Sequence, residues 1–484
     1  MTMRLCPSGF REYDARWRYP DDIDLDGMRA VGLGLGTQLM RRGAGRQIIV
    51  GHDHRSYSPA MKMALSEGLM QAGAHVHDIG MSLSPTAYFA QFHLDVGAVA
   101  MVTASHNPNG WTGIKVGFDR PCTHGPAEMA ELKAIILRQD FDRMEGGKIE
   151  PVAGVKDAYL NDVVSGAKIS RPLRVVCATG NGTAGAFAPD VLRRLGIEVI
   201  ERHCTLDHSF PNYNPNPEAL EMLSDMGAAV RESGADFGVG LDGDGDRLGA
   251  VDDAGNAVFA DKLGLLLARN IAGAMAGARF LVDIKSTGLF ATDPVLLSYG
   301  AVVEYCKTGH SHVKRRLRAI GAQAAFEKSG HFYFGNPIGR GFDCALRAMV
   351  ELCRLIDNNG DTTLSDLIAS LPPSWTSPTL SPTCPDDQKY EVVARLTEVF
   401  RQMQRNGDMI AGRKIADIQT VNGARVQLDD GAWALVRASS NTPNLVVICE
   451  SFTSKADLRK VFAGFDNIIR RESVIGAYDQ TLLD

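Results

Sequence analysis

Along the first three-quarters of the chain, short β-branched runs and amphipathic stretches follow one another in a plan that is written three times. "QIIVGHDHRSYSPAMKMALSEGLMQAGAHVHDIG" begins at Gln47, "RVVCATGNGTAGAFAPDVLRRLGIEVIERH" at Arg174, and "RFLVDIKSTGLFATDPVLLSYGAVVEYCKTG" at Arg279. Each reads as a strand, a loop rich in Gly, Ser or Asp, a helix and a second strand. Ser58-Pro59 has the form of a helix N-cap followed by proline at the first helical position. Gly73, Gly196 and Gly300 stand where helices should end. Strand–helix–strand units of this length predict parallel pairing through right-handed crossovers, and hence three related mixed α/β domains.

The pattern changes after "LPPSWTSPTLSPTCPDD" (371–387), whose five prolines give it the composition of a boundary or linker. Beyond it, "KYEVVARLTEVFRQMQ" is an amphipathic helix. The runs "ADIQTV", "ARVQL", "AWALVRAS" and "NLVVICE" then alternate with the turn pairs Asn422-Gly423 and Asp430-Gly431, and a last helix spans roughly 454–470. This is the pattern of a small C-terminal antiparallel α+β domain. The expected organisation is four domains, 1–152, 153–259, 260–373 and 374–484, arranged around a central cleft into which their loops converge.

Composition narrows the classes. With 45% hydrophobic and 22% charged residues, the 484-residue chain is ordinary for a globular protein. A net charge of -6 gives no bulk attraction to nucleic acid or to acidic membranes, so neither is expected as a partner. Nine cysteines lie far apart with no C-x-x-C, which suggests neither a zinc framework nor a disulfide scaffold. "MTMRLCPSGFREYDARW" has no apolar leader core, and the most apolar window, 263–282, is broken by Arg269, Asn270 and Arg279. A cytoplasmic protein is the expectation.

Four loops carry chemistry. In "DGDGDR", Asp242, Asp244 and Asp246 alternate with glycines just after the strand-like "FGVGL". Three carboxylates so close repel one another unless a cation joins them, and a hard divalent ion is the natural occupant. An EF-hand fits poorly, because Arg247 stands where that loop needs glycine and the flanks read as strands. "TASHNPNGWTGIKV" (103–116) follows the buried run "VGAVAMV" and offers Ser105, His106 and Lys115. "RASSNTPN" (437–444) offers Arg437, Ser439, Ser440, Asn441 and Thr442, a set suited to a dianionic phosphate. "FEKSGHFYFG" (326–335) offers Glu327, Ser329 and His331, which would share one side of an extended segment and could take sugar hydroxyls and protons. Each of these loops, taken alone, also reads as a turn that satisfies its own polar groups.

Together they resemble the α-D-phosphohexomutases. "TASHNPNGWTGIKV", "DGDGDR", "EKSGH" and "RASSNTP" occur in that family's order and spacing, from "FREYDAR" (10–16) to the last helix, and are most similar to the bacterial phosphomannomutase/phosphoglucomutase branch. The resemblance implies that Ser105 becomes a phosphoserine and that Asp242, Asp244 and Asp246 hold Mg²⁺ with an oxygen of that phosphoserine. It implies that Lys115 and Arg247 flank the transferring phosphate, and that Glu327 and Ser329 grip sugar hydroxyls with His331 nearby. Arg437, Ser439, Ser440 and Asn441 would anchor the phosphate that is not reacting, while Tyr13, Arg16, Lys285 and His310 would line the cleft. The activity implied is interconversion of hexose 1-phosphate and hexose 6-phosphate through a hexose 1,6-bisphosphate, which also serves as activator, by a monomer or weak homodimer.

On that reading phospho-Ser105 phosphorylates the free hydroxyl, and the bisphosphate turns over and returns its other phosphate. The 437–442 loop must then accept either end of the sugar, and movement of the last domain about the Pro-rich stretch is expected. His331 and Lys115 are both candidates for general acid/base. His106, as a sequence neighbour of Ser105, need not face it, and no oxyanion-hole motif marks a hydrolase. Departures from the family pattern are Trp17 and Phe326 where glycine is usual, Ser440 where Asn or Gly is common, and Thr442 before the proline in place of Glu. The last favours the mannose/glucose branch over phosphoglucosamine mutases. A metal-dependent sugar phosphatase would leave the 437–444 loop without a purpose, and a calcium-binding protein would need only 242–246.

Overall fold

The computed structural model describes residues 3–440, 442–480 and 482. It consists of two compact units, one made of residues 1–271 with 310–368 and the other of 272–309 with 369–484. The first unit contains two mixed sheets. In one, strands Gln47–His52, His75–Met81, Ala98–Val102 and Lys148–Pro151 pair in parallel, and Trp111–Gly117 and Ala15–Arg18 extend the edge antiparallel. In the other, Arg174–Ala178 lies in parallel between Glu198–Arg202 and Phe237–Leu241, and Leu248–Val251 folds back antiparallel on the last. Strands Gln47–His52, Ala98–Val102, Arg174–Ala178 and Phe237–Leu241 are buried along their length save for the exposed first residues Gln47 and Arg174, as expected of parallel strands covered on two faces.

All three repeated sequence units form a parallel strand pair joined by a helix, including Arg279–Asp283 with Val302–Cys306 in the second unit. Gly73, Gly196 and Gly300 close the intervening helices in the left-handed conformation, where a side chain would be strained. Ser58 does not cap its helix. That helix, Ser58–Gln71, is preceded by Tyr57 at the capping position, and the Ser58 hydroxyl bonds to the carboxylate of Asp53. Ser58 is already the first helical residue, and its hydroxyl proton goes to the buried carboxylate in a charge-assisted bond.

The rest of the second unit is an antiparallel sheet of Arg413–Gln419, Ala424–Leu428, Trp433–Ala438 and Leu445–Ser451, packed against helices Lys389–Asn406 and Lys455–Ile469. The apolar face of these helices and the inward side chains of the strands share one core. The Pro-rich stretch is not a free linker. Trp375–Thr376 pairs with Leu445–Ser451, and further bridges at Leu380 and Thr383 run along the same strand, because proline is tolerated at a sheet edge. All nine cysteines are free, and among the described residues no helix is long and apolar enough to cross a membrane.

Candidate active site

Two loops of the first unit meet at the ends of its strands. Ala98–Val102 runs directly into Thr103–Gly110, and Phe237–Leu241 runs into the aspartate loop, so both loops start from rigid, buried backbone. Gly243, between the first two aspartates, makes the approach possible. A Cβ there would lie 2.5 Å from the carbonyl oxygen of Ser105. The Ser105 Oγ consequently donates to Asp242 Oδ2 at 2.9 Å. Lys115, on the neighbouring antiparallel strand, donates to Asp244 Oδ2 at 2.7 Å and also to Asp246. Ser84 adds a hydroxyl bond to Asp244 at 2.6 Å.

Ser105 has φ +53°, the left-handed region, which a residue with a side chain occupies at a cost on the order of 1–3 kcal/mol. Its N–H is tied to Thr103 Oγ1 at 2.9 Å. His106, which as a sequence neighbour need not have faced Ser105, does so, with Nδ1 3.3 Å from the hydroxyl. Burial pushes the His106 imidazole well below its ordinary range, and Arg247, Arg16 and Lys115 push it further. It is therefore neutral, inside a ring of cations.

Electrostatics within the aspartate loop are strained. Asp242 is pushed well above the ordinary carboxylate range by burial and by the charges of Asp246 and Asp244. For Asp246, burial acts in the same sense, but the Lys115 ammonium outweighs it and holds the carboxyl low. Burial opposes the Lys115 charge, and Asp244 with Asp246 reverses that and holds the ammonium protonated.

The segment 327–331 is not extended. It is the tight turn of a hairpin between Ala324–Phe326 and Phe332–Phe334, closed by Gly330 N–H donating to Glu327 O at 3.0 Å. The three side chains therefore do not share one side. Glu327 is buried and accepts the Tyr333 hydroxyl, Ser329 sits on the turn, and His331 reaches the aspartate loop. His331 Nδ1 lies 3.1 Å from Asp343 Oδ2, and its Nε2 accepts from Arg247 Nε at 3.0 Å. Those partners place a proton on Nδ1, facing the carboxylate. Arg247 also reaches Glu218 at 3.1 Å. Arg16 pairs with Asp14 at 2.9 Å, and the Tyr13 ring stands edge-on to His310, 4.8 Å between centroids.

Lys285 and the 437–442 loop belong to the second unit. Lys285 is buried beside Asp283, 3.5 Å away. Arg437 is the penultimate residue of strand Trp433–Ala438 and donates to Ala438 O at 2.8 Å, while the Ser439 and Thr442 hydroxyls bond to each other at 2.8 Å. Ser440 is half-buried, and Asn441 lies outside the described residues. Sequence reasoning missed Asp343, Ser84, Asp53 and Arg55. Asp343 carries no motif and is brought in by a distant helix start. The other three lie in stretches that read as ordinary helix entries.

The residues at 242–246 fit a metal ion. Their ligand oxygens fall within 4.8 Å of one another, all three side chains are buried, and Asp244 Oδ1 and Asp246 Oδ1 have no hydrogen-bond partner. A set of buried oxygens with two unsatisfied acceptors is a cradle for a hard cation.

Three α/β domains, an antiparallel final domain and a serine beside a triple-aspartate turn define a phosphosugar mutase architecture, and similarity to known proteins agrees. The chain belongs to the phosphoglucomutase/phosphomannomutase family: alpha/beta/alpha domains I, II and III match residues 7–143, 157–255 and 259–375, and the C-terminal domain matches 383–468. It is 32% identical over 459 residues to a phosphomannomutase/phosphoglucomutase of Pseudomonas putida, covering 94% of each chain. It is 32% identical to a phosphoglucomutase of Neisseria gonorrhoeae, over 92% of this chain and 94% of that one. A crystal structure of a phosphoglucomutase/phosphomannomutase family protein from Burkholderia thailandensis superposes with TM-score 0.88 at 30% identity, over 98% of this chain and 100% of the other. The chain is thus a hexose-phosphate mutase, an isomerase of a metal-dependent family.

Proposed function

We propose that the chain interconverts the 1- and 6-phosphates of mannose or glucose, with Ser105 Oγ carrying the phosphoryl group between the two ends. The observation that carries this reading is the 2.9 Å contact of that hydroxyl with a buried triple carboxylate to which Lys115 is bound. In the first half-reaction the Ser105 Oγ–P bond breaks and the free sugar hydroxyl oxygen bonds to phosphorus. The hydroxyl proton passes to a base, and the departing Ser105 Oγ takes up a proton in return, restoring the serine hydroxyl. His331 is the better candidate for the base: Asp343 orients its ring through Nδ1, and Nε2, which here accepts the Arg247 N–H, would take the proton once that bond opens to substrate. Lys115, kept protonated by two aspartates, acts as a fixed cation beside the transferring oxygens. Arg247 and Arg16 add positive charge on the His106 side of the serine.

The bisphosphate then presents its other phosphate to Ser105 and the steps reverse, which is why hexose 1,6-bisphosphate would prime the enzyme. Glu327 and Ser329 would take sugar hydroxyls, and Tyr13, Arg16, Lys285 and His310 would line the path. Arg437, Ser439, Ser440 and Asn441 would hold the distal phosphate. Mg²⁺, a small hard cation suited to oxygen donors, would be held by Asp242, Asp244, Asp246 and an oxygen of phosphorylated Ser105, and when bound supplies positive charge to the phosphoryl oxygens.

The test is an intact-mass measurement together with a coupled assay on glucose 1-phosphate, mannose 1-phosphate and, in competition, glucosamine 6-phosphate. Protein exposed to bisphosphate should gain one phosphate on Ser105, and Ser105→Ala should lose about 10⁴-fold or more in kcat. A fully active Ser105→Ala would end the carrier assignment, and stronger turnover of the amino sugar would move the substrate assignment.

A further inference from the structure

We propose that Asp53 and Arg55 are positioning residues that lock the main chain of Ser105 in its left-handed conformation and thereby aim its side chain at the aspartate loop. The inference rests on the assignment of Ser105 as the phosphoryl carrier. Both residues are buried, at 0% and 1% exposure.

The wiring is specific. Arg55 Nη1 pairs with Asp53 Oδ2, and the other arm of the guanidinium donates to Ser105 O at 3.2 Å and to Asn107 O. Asp53 Oδ2 also accepts the Ala104 N–H at 3.2 Å, and Asp53 Oδ1 accepts Arg55 N–H at 3.2 Å and the Ser58 hydroxyl. One buried ion pair thus fastens the peptide groups at 104, 105 and 107. Thr103 Oγ1 holds the Ser105 N–H and Arg55 holds the Ser105 carbonyl, so both peptide planes that set φ and ψ of the serine are fixed. Against the same carbonyl stands Gly243, with no room for a Cβ. The serine carbonyl is therefore held between an arginine behind and the aspartate loop in front, and the strained φ of +53° persists because its surroundings over-determine it. The Phe210 ring, 5.3 Å from the guanidinium carbon, covers the Arg55 head.

A pair serving only stability would have no need to place its donors on the carbonyl of the reactive residue and on that of Asn107, two residues further on. In this arrangement the main chain fixes the direction in which the Cα–Cβ bond of the carrier points, which serves an in-line transfer at two alternative sugar oxygens. Arg is needed because a planar fork can serve a carboxylate and two carbonyls at once, whereas the ammonium of Lys is a single point charge.

Arg55→Lys, Asp53→Asn, Ser105→Ala and the parent protein should be compared by steady-state kinetics on glucose and mannose 1-phosphates, by thermal melting and by ³¹P NMR of the phosphoserine. Misplacing a reacting atom by about 1 Å costs up to 10²-fold, so kcat of Arg55→Lys should fall about 10- to 100-fold, by the same factor for both sugars. KM should stay within about threefold, because distal-phosphate and sugar contacts are untouched. The phosphoserine resonance should shift or broaden. A folded Arg55→Lys with parental kcat and an unchanged resonance overturns the proposal, as does a kcat loss fully explained by the unfolded fraction. If neither Arg55→Lys nor Asp53→Asn folds, Ser58→Ala, which removes only the neutral hydroxyl from Asp53, should still lower kcat by a few fold without moving KM, and an unchanged kcat there overturns it too. A parent protein that never carries phosphate on Ser105, with Ser105→Ala active, refutes the carrier assignment instead and does so whatever Arg55→Lys shows.

Discussion

Lys115 and Arg437 are both buried cations on β-strands, at 3% and 6% exposure, yet their surroundings differ in kind. Lys115 is bonded to two carboxylates that themselves belong to a crowded triple. Arg437 donates to a main-chain carbonyl, and its loop neighbours Ser439 and Thr442 share a hydroxyl bond. Charges bonded to charges in a dry site hold one geometry, because breaking any pair strands a buried ion. Hydroxyls and carbonyls exchange partners at little cost, since a neutral hydrogen bond contributes only about 1 kcal/mol net. The first arrangement suits a reaction centre where one oxygen must stay in place. The second suits an anchor that must accept two different phosphate esters.

The largest effect that would break this contrast comes from the rigid side. Lys115→Met keeps most of the volume and removes the charge, so kcat should fall about 10²- to 10³-fold, the usual consequence of deleting one charge-stabilising donor. It should also leave Asp244 and Asp246 uncompensated, and the melting temperature should then depend on added Mg²⁺ more steeply than that of the parent protein. Near-parental kcat in Lys115→Met would show that the aspartate loop does not need its ammonium.

On the adaptable side the expected effect is smaller and lies in KM. Arg437→Ala removes charge-assisted bonds that are each good for about 1.5–3 kcal/mol, so KM should rise roughly 10- to 100-fold. The rise should be alike for hexose 1-phosphate and hexose 6-phosphate, with kcat little changed. If one isomer alone is affected, the loop is not a common anchor, and the contrast with Lys115 loses its functional meaning.

The two regions were also unequally legible in the sequence. Asp242, Asp244 and Asp246 alternate with glycine between two β-branched runs, and three carboxylates at that spacing have few uses other than a cation. The strands Ala98–Val102 and Phe237–Leu241 that deliver both reactive loops were visible as apolar runs, and the C-terminal strands as runs around turn pairs. What escaped was whatever depends on contacts between distant segments. Asp343 reaches His331 only after a hairpin has folded, and the extended reading of 327–331 failed because Gly330 closes a turn that alternation alone cannot reveal. Ser58 looked like a cap because capping is local, whereas its actual partner, Asp53, is made a better acceptor by burial. His106 facing Ser105 likewise follows from the left-handed serine, and no propensity predicts a left-handed serine.

The smallest expected effect separates burial from chemistry within the first unit. His124 is as buried as Lys115 but serves no charge: its Nε2 meets Gln38 Oε1 at 3.0 Å and its ring stands edge-on to Phe118. Burial lowers its pKa from 6.5 to about 4, with the nearby Glu128 opposing and Arg42 assisting. Between those values the unfolded chain binds a proton that the folded protein refuses, so stability is intact above pH 6.5 and drains away as pH falls toward 4. The loss amounts to on the order of 3 kcal/mol, since every tenfold change in proton affinity between the two states is worth about 1.4 kcal/mol. His124→Gln cannot titrate and can still bond to Gln38. Its denaturation midpoint should therefore fall less between pH 7 and about pH 4.5 than that of the parent protein, while kcat at neutral pH stays the same. Parallel midpoint curves for the two proteins would mean that the imidazole is reached by protons in the folded state, and a changed kcat would mean that burial and chemistry are not separable in this unit.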